Sequence, residues 1–217
     1  MPYSTLFFDL DDTLYPSNSG LWDAIRDRMG RYMWERLNLP KEDVPRIRKY
    51  YFETYGTTLR GLQIHHGVDV DDYLSYVHDL PLPMFIHPDP HVQEMIKSLP
   101  QHKWIFTNAD DNHARRVLAE LKLSECFCGI IDIRAIQFAC KPEIIAYQRA
   151  MALAGEVEPS TCVMLDDSPR NLAPARELGF FTILVGTDKP DPAASLSLPS
   201  IIDLPPAMPE LWNGYKK

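Results

Sequence analysis

Near the N-terminus the run Thr5-Leu6-Phe7-Phe8 stops abruptly at Asp9-Leu10-Asp11-Asp12-Thr13. Bounded by Pro2 before it and Tyr15-Pro16 after it, this short stretch of β-branched and aromatic residues reads as a strand buried on both faces of a parallel sheet. That limits the fold to α/β types and puts Asp9 and Asp11 at the carboxyl end of the strand, where open α/β sheets form their ligand crevice. Aspartate is also frequent in turns. Alone, the pair leaves open whether these acids do chemistry or merely end the strand.

The rest of the chain agrees with a parallel sheet. From residue 88 onward, helical and strand patterns alternate. Val92, Met95, Ile96 and Leu99 share a helical face; Lys103–Phe106 reads as a strand; Ala114, Val117, Leu118 and Leu121 form a helix; Gly129–Ile133 reads as a strand. Ile144, Ile145, Ala150 and Leu153 mark the next helix, Cys162–Leu165 a strand, Leu172–Leu178 a helix closed by Gly179, and Phe181–Val185 a last strand. Such alternation implies a doubly wound parallel sheet covered on both faces.

Between the first strand and this block, residues 17–87 hold only helical patterns. Leu21, Ile25, Met29, Tyr32 and Met33 recur at helical spacing, as do Val44, Ile47, Tyr51 and Tyr55. A third helix is expected after a cap at Thr57 or Thr58, and a fourth after a cap at Asp71. The division is therefore a core of residues 1–16 and 88–217 with a helical subdomain, 17–87, hung beside the acidic pair like a lid. The proline-rich tail from Asp188 is expected to wrap the surface without regular structure.

Composition removes several function classes. A net charge of -8 argues against nucleic acid as a partner, since that affinity rests on Lys and Arg meeting phosphates. No apolar run approaches the roughly 20 residues of a membrane span, and the first one ends in acids rather than a cleavage site, which reads as cytoplasmic. Cys126, Cys128, Cys140 and Cys162 lack zinc spacing and are expected to be buried reduced thiols. His65-His66 are adjacent rather than one turn apart, so they do not suit a shared metal.

Other strand ends supply partners for the acids. Ile105-Phe106 runs into Thr107-Asn108, the loop after Ile133 leads to Lys141-Pro142, and Val163-Met164-Leu165 ends in Asp166-Asp167-Ser168. Each has a plain alternative as a helix cap, a surface lysine or a capping turn. Together they bring four carboxylates to one crevice, and like charges there disfavour ionisation unless a cation compensates. Oxygen-only ligands suit Mg²⁺, and Lys141 and the Thr107 hydroxyl suit phosphate oxygens.

The set Asp9-x-Asp11-x-Thr13, Thr107, Lys141 and Asp166-Asp167 resembles the four motifs of the haloacid dehalogenase superfamily of phosphohydrolases, and the helical insertion is similar to that family's C1 cap. The resemblance implies Asp9 as nucleophile forming an aspartyl phosphate and Asp11 as general acid and base. It further implies Thr107 and Lys141 on the phosphate, and Mg²⁺ held by Asp9, Asp166, Asp167 and the Asp11 carbonyl. Asn108 is a further phosphate contact on this reading. The stretches Asp9–Pro16, Tyr55–Leu62 and Ile105–Asp110 are similar to the pyrimidine 5'-nucleotidase branch of fungi and plants. That similarity implies a small phosphate ester of UMP or CMP type as substrate, with Arg60, Tyr55 and His65 of the insertion as candidate contacts. Sugar phosphates or pyridoxal phosphate as substrates, or a non-catalytic phosphate-binding regulator, are the alternatives.

Overall fold

The computed structural model describes residues 3–156 and 158–212. Six parallel strands, β1 (Thr5–Phe8), β2 (His102–Phe106), β3 (Gly129–Ile131), β4 (Cys162–Asp166), β5 (Phe181–Val185) and β6 (Leu196–Leu198), lie in the order β3-β2-β1-β4-β5-β6. The first strand is thus central, and all four of its residues are buried.

The two-residue period of the strands sorts their side chains onto two faces. Leu6, Phe8, Ile105, Val163, Leu165, Ile183 and Val185 join one core cluster, with Val92, Ile96, Val117 and Leu118 from helices. Phe7, Phe106, Met164 and Leu184 join another, with Ala146, Tyr147, Ala150, Leu172 and Ala175. Every strand residue of the centre therefore meets a helix, which is why the sequence there reads as continuous apolar runs rather than alternation.

Four helices fill the segment between β1 and β2 before the sheet resumes: α1 (Leu21–Glu35), α2 (Val44–Tyr55), α3 (Thr58–His66) and α4 (Val70–His78). They have their own core of Tyr32, Met33, Val44, Tyr51, Leu59, Leu62, Tyr73, Leu74 and Val77, to which the sheet domain adds Ile133 and Cys140. Thr57 caps α3, its hydroxyl accepting from the Arg60 amide at 3.1 Å. The fourth helix is capped by Asp69, not Asp71; Asp69 accepts the Asp72 amide at 2.9 Å and so starts the helix two residues earlier. Helices α5 (Pro90–Ser98), α6 (Asp111–Glu120), α7 (Ile144–Ala154) and α8 (Pro169–Leu178) flank the sheet. Among the described residues no helix is long and apolar enough to cross a membrane.

Two expectations are corrected. The tail is structured: it supplies β6, and short helical turns including α9 (Leu204–Ala207). Leu198, Ile201, Leu204, Met208 and Leu211 are buried in the main core. Pro205 and Pro209 sit at the starts of two of these turns, where a missing N–H is harmless. The cysteines are all free, but Cys128 is exposed while the other three are buried.

Candidate active site

Register assembles the site. Phe8 lies beside Leu165 in the parallel pair β1–β4, and the Asp9 amide donates to the Leu165 carbonyl at 2.8 Å, so the next residues of both strands, Asp9 and Asp166, emerge side by side. Neighbouring strands are only about 4.8 Å apart, and two carboxylates so placed repel strongly. Lys141, 1% exposed, answers that repulsion: its Nζ donates to Asp9 Oδ1 and to Asp166 Oδ2, both at 2.7 Å.

Each member is held from behind. Asn108 spends its side chain on the backbone of Lys141, Nδ2 donating to the carbonyl at 3.0 Å and Oδ1 accepting the amide at 2.8 Å. Asn108, expected as a phosphate contact, lies in the site with its side chain engaged in fixing the lysine loop. Asp166 accepts from the Ser168 amide at 2.9 Å and from Asn171 Nδ2 at 3.0 and 3.2 Å. The buried Thr107 hydroxyl accepts the Ala109 amide at 3.0 Å, turning the chain at the end of β2. After β1, Asp12 adopts a left-handed φ of 60°, which aspartate tolerates better than most residues.

Charge is only partly balanced. Burial raises Asp9 well above the usual carboxylate range, and Asp166 and Asp167 add to this against the lowering effect of Lys141. Burial and the neighbouring Asp166 push Asp167 up to about 7. Burial opposes ionisation of Lys141, but the attraction of Asp166 and Asp9 outweighs it and raises its pKa. Carboxylate oxygens of Asp9, Asp166 and Asp167 lie within 4.8 Å of one another. Three hard oxygen donors with a surplus of negative charge fit a divalent cation of the Mg²⁺ type.

Asp11 behaves differently. Burial pushes its pKa up, yet interaction with His113 and hydrogen bonds from His113 and Tyr15 outweigh this and leave it below its ordinary value. Tyr15 donates to Asp11 Oδ1 at 2.6 Å, and His113 Nε2 lies 2.9 Å from the same oxygen. Asp11 is therefore ionised at neutral pH.

Asp9, Asp11, Thr107, Asn108, Lys141 and Asp167 line one cavity of about 560 Å³ between the sheet edge and the helical insertion, a size that suits a small organic ligand. Trp22, Arg26, Arg48, Phe52, Tyr73 and His78 line it from the insertion. Arg60, Tyr55 and His65 do not. Arg60 is exposed; Tyr55 and His65 bond each other at 2.8 Å outside the cavity. The pattern that singled them out places them on the helices α2 and α3 but not on the face that looks inward. Arg46, Arg48 and Lys49 form a small basic cluster that reads in the sequence as one face of a solvated helix, yet Arg48 belongs to the cavity wall; nothing adjacent to His113 in the sequence marks it. Asn171 had a visible signal, lying five residues after Asp166 on the first turn of α8.

Several comparisons bear on this arrangement. Phosphate metabolism protein 8 of Saccharomyces cerevisiae is 27% identical over 187 residues, covering 80% of this chain and 58% of that protein. The chain thus spans less than two thirds of the curated relative it matches. Among solved structures, a HAD phosphatase from Thermococcus onnurineus superposes with a TM-score of 0.62 at 18% identity, covering 94% of this chain and 96% of that one. YfnB of Bacillus subtilis, solved with magnesium bound, gives 0.60 at 19% identity, covering 99% and 100%. L-2-haloacid dehalogenase from Xanthobacter autotrophicus gives 0.58 at 18%, covering 94% and 97%. At these identities the likeness is one of fold. Residues 3–179 match the family described as haloacid dehalogenase-like hydrolase, and with most of its length so matched this chain belongs to that family of hydrolases.

Proposed function

We propose that the protein is a Mg²⁺-dependent phosphatase of small phosphomonoesters, foremost pyrimidine nucleoside 5'-monophosphates, working through an aspartyl phosphate. The observation that carries this reading is Lys141 bridging Asp9 and Asp166, with Asp167 beside them. Asp9, Asp166 and Asp167 would hold Mg²⁺, whose charge offsets that of carboxylate and phosphate as they approach. Asp9 attacks phosphorus, the ester P–O bond breaks, and the leaving oxygen takes a proton from Asp11. An arriving phosphate dianion opposes ionisation of Asp11 and so helps it carry that proton. Water then attacks the aspartyl phosphate, Asp11 removes the water proton, and inorganic phosphate leaves with the Asp9 carboxylate restored. Displacement of a halide would use Asp9 but leave Asp11 and the Asp166–Asp167 pair without a task.

A panel of UMP, CMP, sugar phosphates, pyridoxal phosphate and a 2-haloacid, assayed with Mg²⁺ and with EDTA, tests the proposal. Release of phosphate only with Mg²⁺ and highest kcat/KM for UMP or CMP is expected; higher values for sugar or pyridoxal phosphate would move the substrate, and no phosphate from any ester would reject the reaction. Asp9→Asn should lower kcat by at least about 10³-fold while leaving the fold intact. Full phosphate release by that variant would remove Asp9 from the chemistry, and wild-type phosphate binding without turnover would favour a regulator.

A further inference from the structure

Two buried histidines stand behind Asp11, and the chemistry above has not used them. His113, on the first turn of α6, is fully buried and brings Nε2 to 2.9 Å from Asp11 Oδ1. Since an ionised carboxylate can only accept, His113 Nε2 donates in this contact. His78, the last residue of α4, stacks on it with ring centroids 4.1 Å apart and planes at 18°. Its Nδ1 lies 2.7 Å from Asp110 Oδ1. One turn beyond His113, Arg116 donates to the carbonyls of His78 and Leu80, each at 2.7 Å. Asp110, the N-cap of α6, and His113 and Arg116 within the helix recur every three residues and meet the insertion from the same side. That face holds the arm by which the helical insertion returns to the sheet.

Shape alone does not account for the pair. His113 Nδ1 is buried with no hydrogen-bond partner, a cost that a leucine in the same space would avoid. What the imidazole adds is its contact with Asp11. Both the His113 and the Tyr15 bonds fall on Oδ1, which leaves Oδ2 for substrate.

We propose that His113 is a positioning residue for Asp11, and that His78, anchored by Asp110, braces it, so that the insertion sets the orientation of this carboxylate through the stacked rings. This rests on the phosphatase reading of the site. His113 touches no reacting atom, so the loss on its removal should appear in kcat rather than KM, and most where the leaving oxygen needs a proton.

Kinetics of His113→Leu, His113→Asn, His113→Gln and His78→Leu on UMP and on p-nitrophenyl phosphate test this. Glutamine can set an N–H near the place of Nε2; asparagine is too short. For His113→Leu and His113→Asn, kcat on UMP is expected to fall about tenfold or more with KM little changed, and the aryl ester, whose leaving group needs no proton, to suffer much less. Glutamine should recover most of the loss, and His78→Leu should give a smaller effect of the same pattern. Equal losses on both esters, a change confined to KM, or glutamine no better than asparagine would overturn the proposal even where the leucine variant fails to fold. Wild-type protein inactive on every ester would instead reject the phosphatase reading on which it stands.

Discussion

A single arginine shows how far residue identity and residue position can diverge. Arg48 lines the cavity, its Nε is buried without a hydrogen-bond partner, and among the described residues it forms no ion pair. Burial lowers its pKa, the mark of a cation short of compensation. Arg60, singled out by similarity, is exposed and outside the cavity. Charged hydrogen bonds contribute about 1.5–3 kcal/mol, so Arg48→Ala is expected to raise KM for UMP by roughly tenfold or more. Arg60→Ala should leave KM nearly unchanged. Steady-state kinetics on UMP and a small aryl phosphate check both; equal rises on the two esters for Arg48→Ala would put that arginine on the phosphoryl group rather than the nucleoside. At this scale the motif acids were legible because strand ends mark them. His78 and His113 are not, and Arg48 shows in the sequence only as part of a basic cluster with the look of a solvated face, since only tertiary packing brings residues so far apart in the chain together.

Elements were legible where their residues carry one period, and less so where punctuation misled. The two central strands, β1 and β4, are legible to within a residue because burial on both faces makes them almost uniformly apolar; β2 and β5 are legible from their apolar C-terminal halves. The tail is not legible because its prolines read as breakers, whereas Leu198, Ile201 and Leu204 supply enough apolar surface to anchor short elements between them. Packing between α2 and α3 makes the opposite point about a glycine. Gly61 lies within α3, where alanine would ordinarily stabilise by up to about 1 kcal/mol. Here a Cβ would come within 2.2 Å of the Tyr51 ring. The ring is buried in the core of the insertion and hydrogen-bonds His66 at 2.9 Å, so it has little room to give. Gly61→Ala is therefore expected to destabilise by about 1–3 kcal/mol, as overpacking does. Urea denaturation of the variant measures it, and a midpoint equal to or above wild type would mean that the two helices part more easily than their contact suggests.

Over the whole molecule, the sheet that creates the site also loads it with charge. A chain of net charge -8 brings Asp9 and Asp166 onto neighbouring strands and supplies one buried lysine between them. The expected consequence is a fold whose stability depends on pH in a defined direction, and on Mg²⁺ under the proposed function. Asp167 rises from 3.8 to about 7 on folding, through burial and the adjacent Asp166. A carboxyl raised in this way binds its proton more tightly in the folded state, so its cost is absent below 3.8, grows as pH rises, and is complete above about 7. The lowered groups Asp11, Asp110 and His78 act with the opposite sign, losing stability as pH falls. They are common to wild type and to an Asp167→Asn variant and cancel in the difference. Without metal, that variant should therefore melt several degrees higher than wild type at pH 8, at roughly 2–4 °C per kcal/mol for a chain of this size, with a smaller gap at pH 4. Binding of Mg²⁺ requires the ionised carboxylates, so adding it at pH 8 should raise the wild-type Tm far more than that of the variant. Thermal melts in EDTA and in excess Mg²⁺ decide the matter: a variant no more stable than wild type in EDTA at pH 8, or one that gains as much from Mg²⁺, would take Asp167 out of the charged cluster and return it to an ordinary turn.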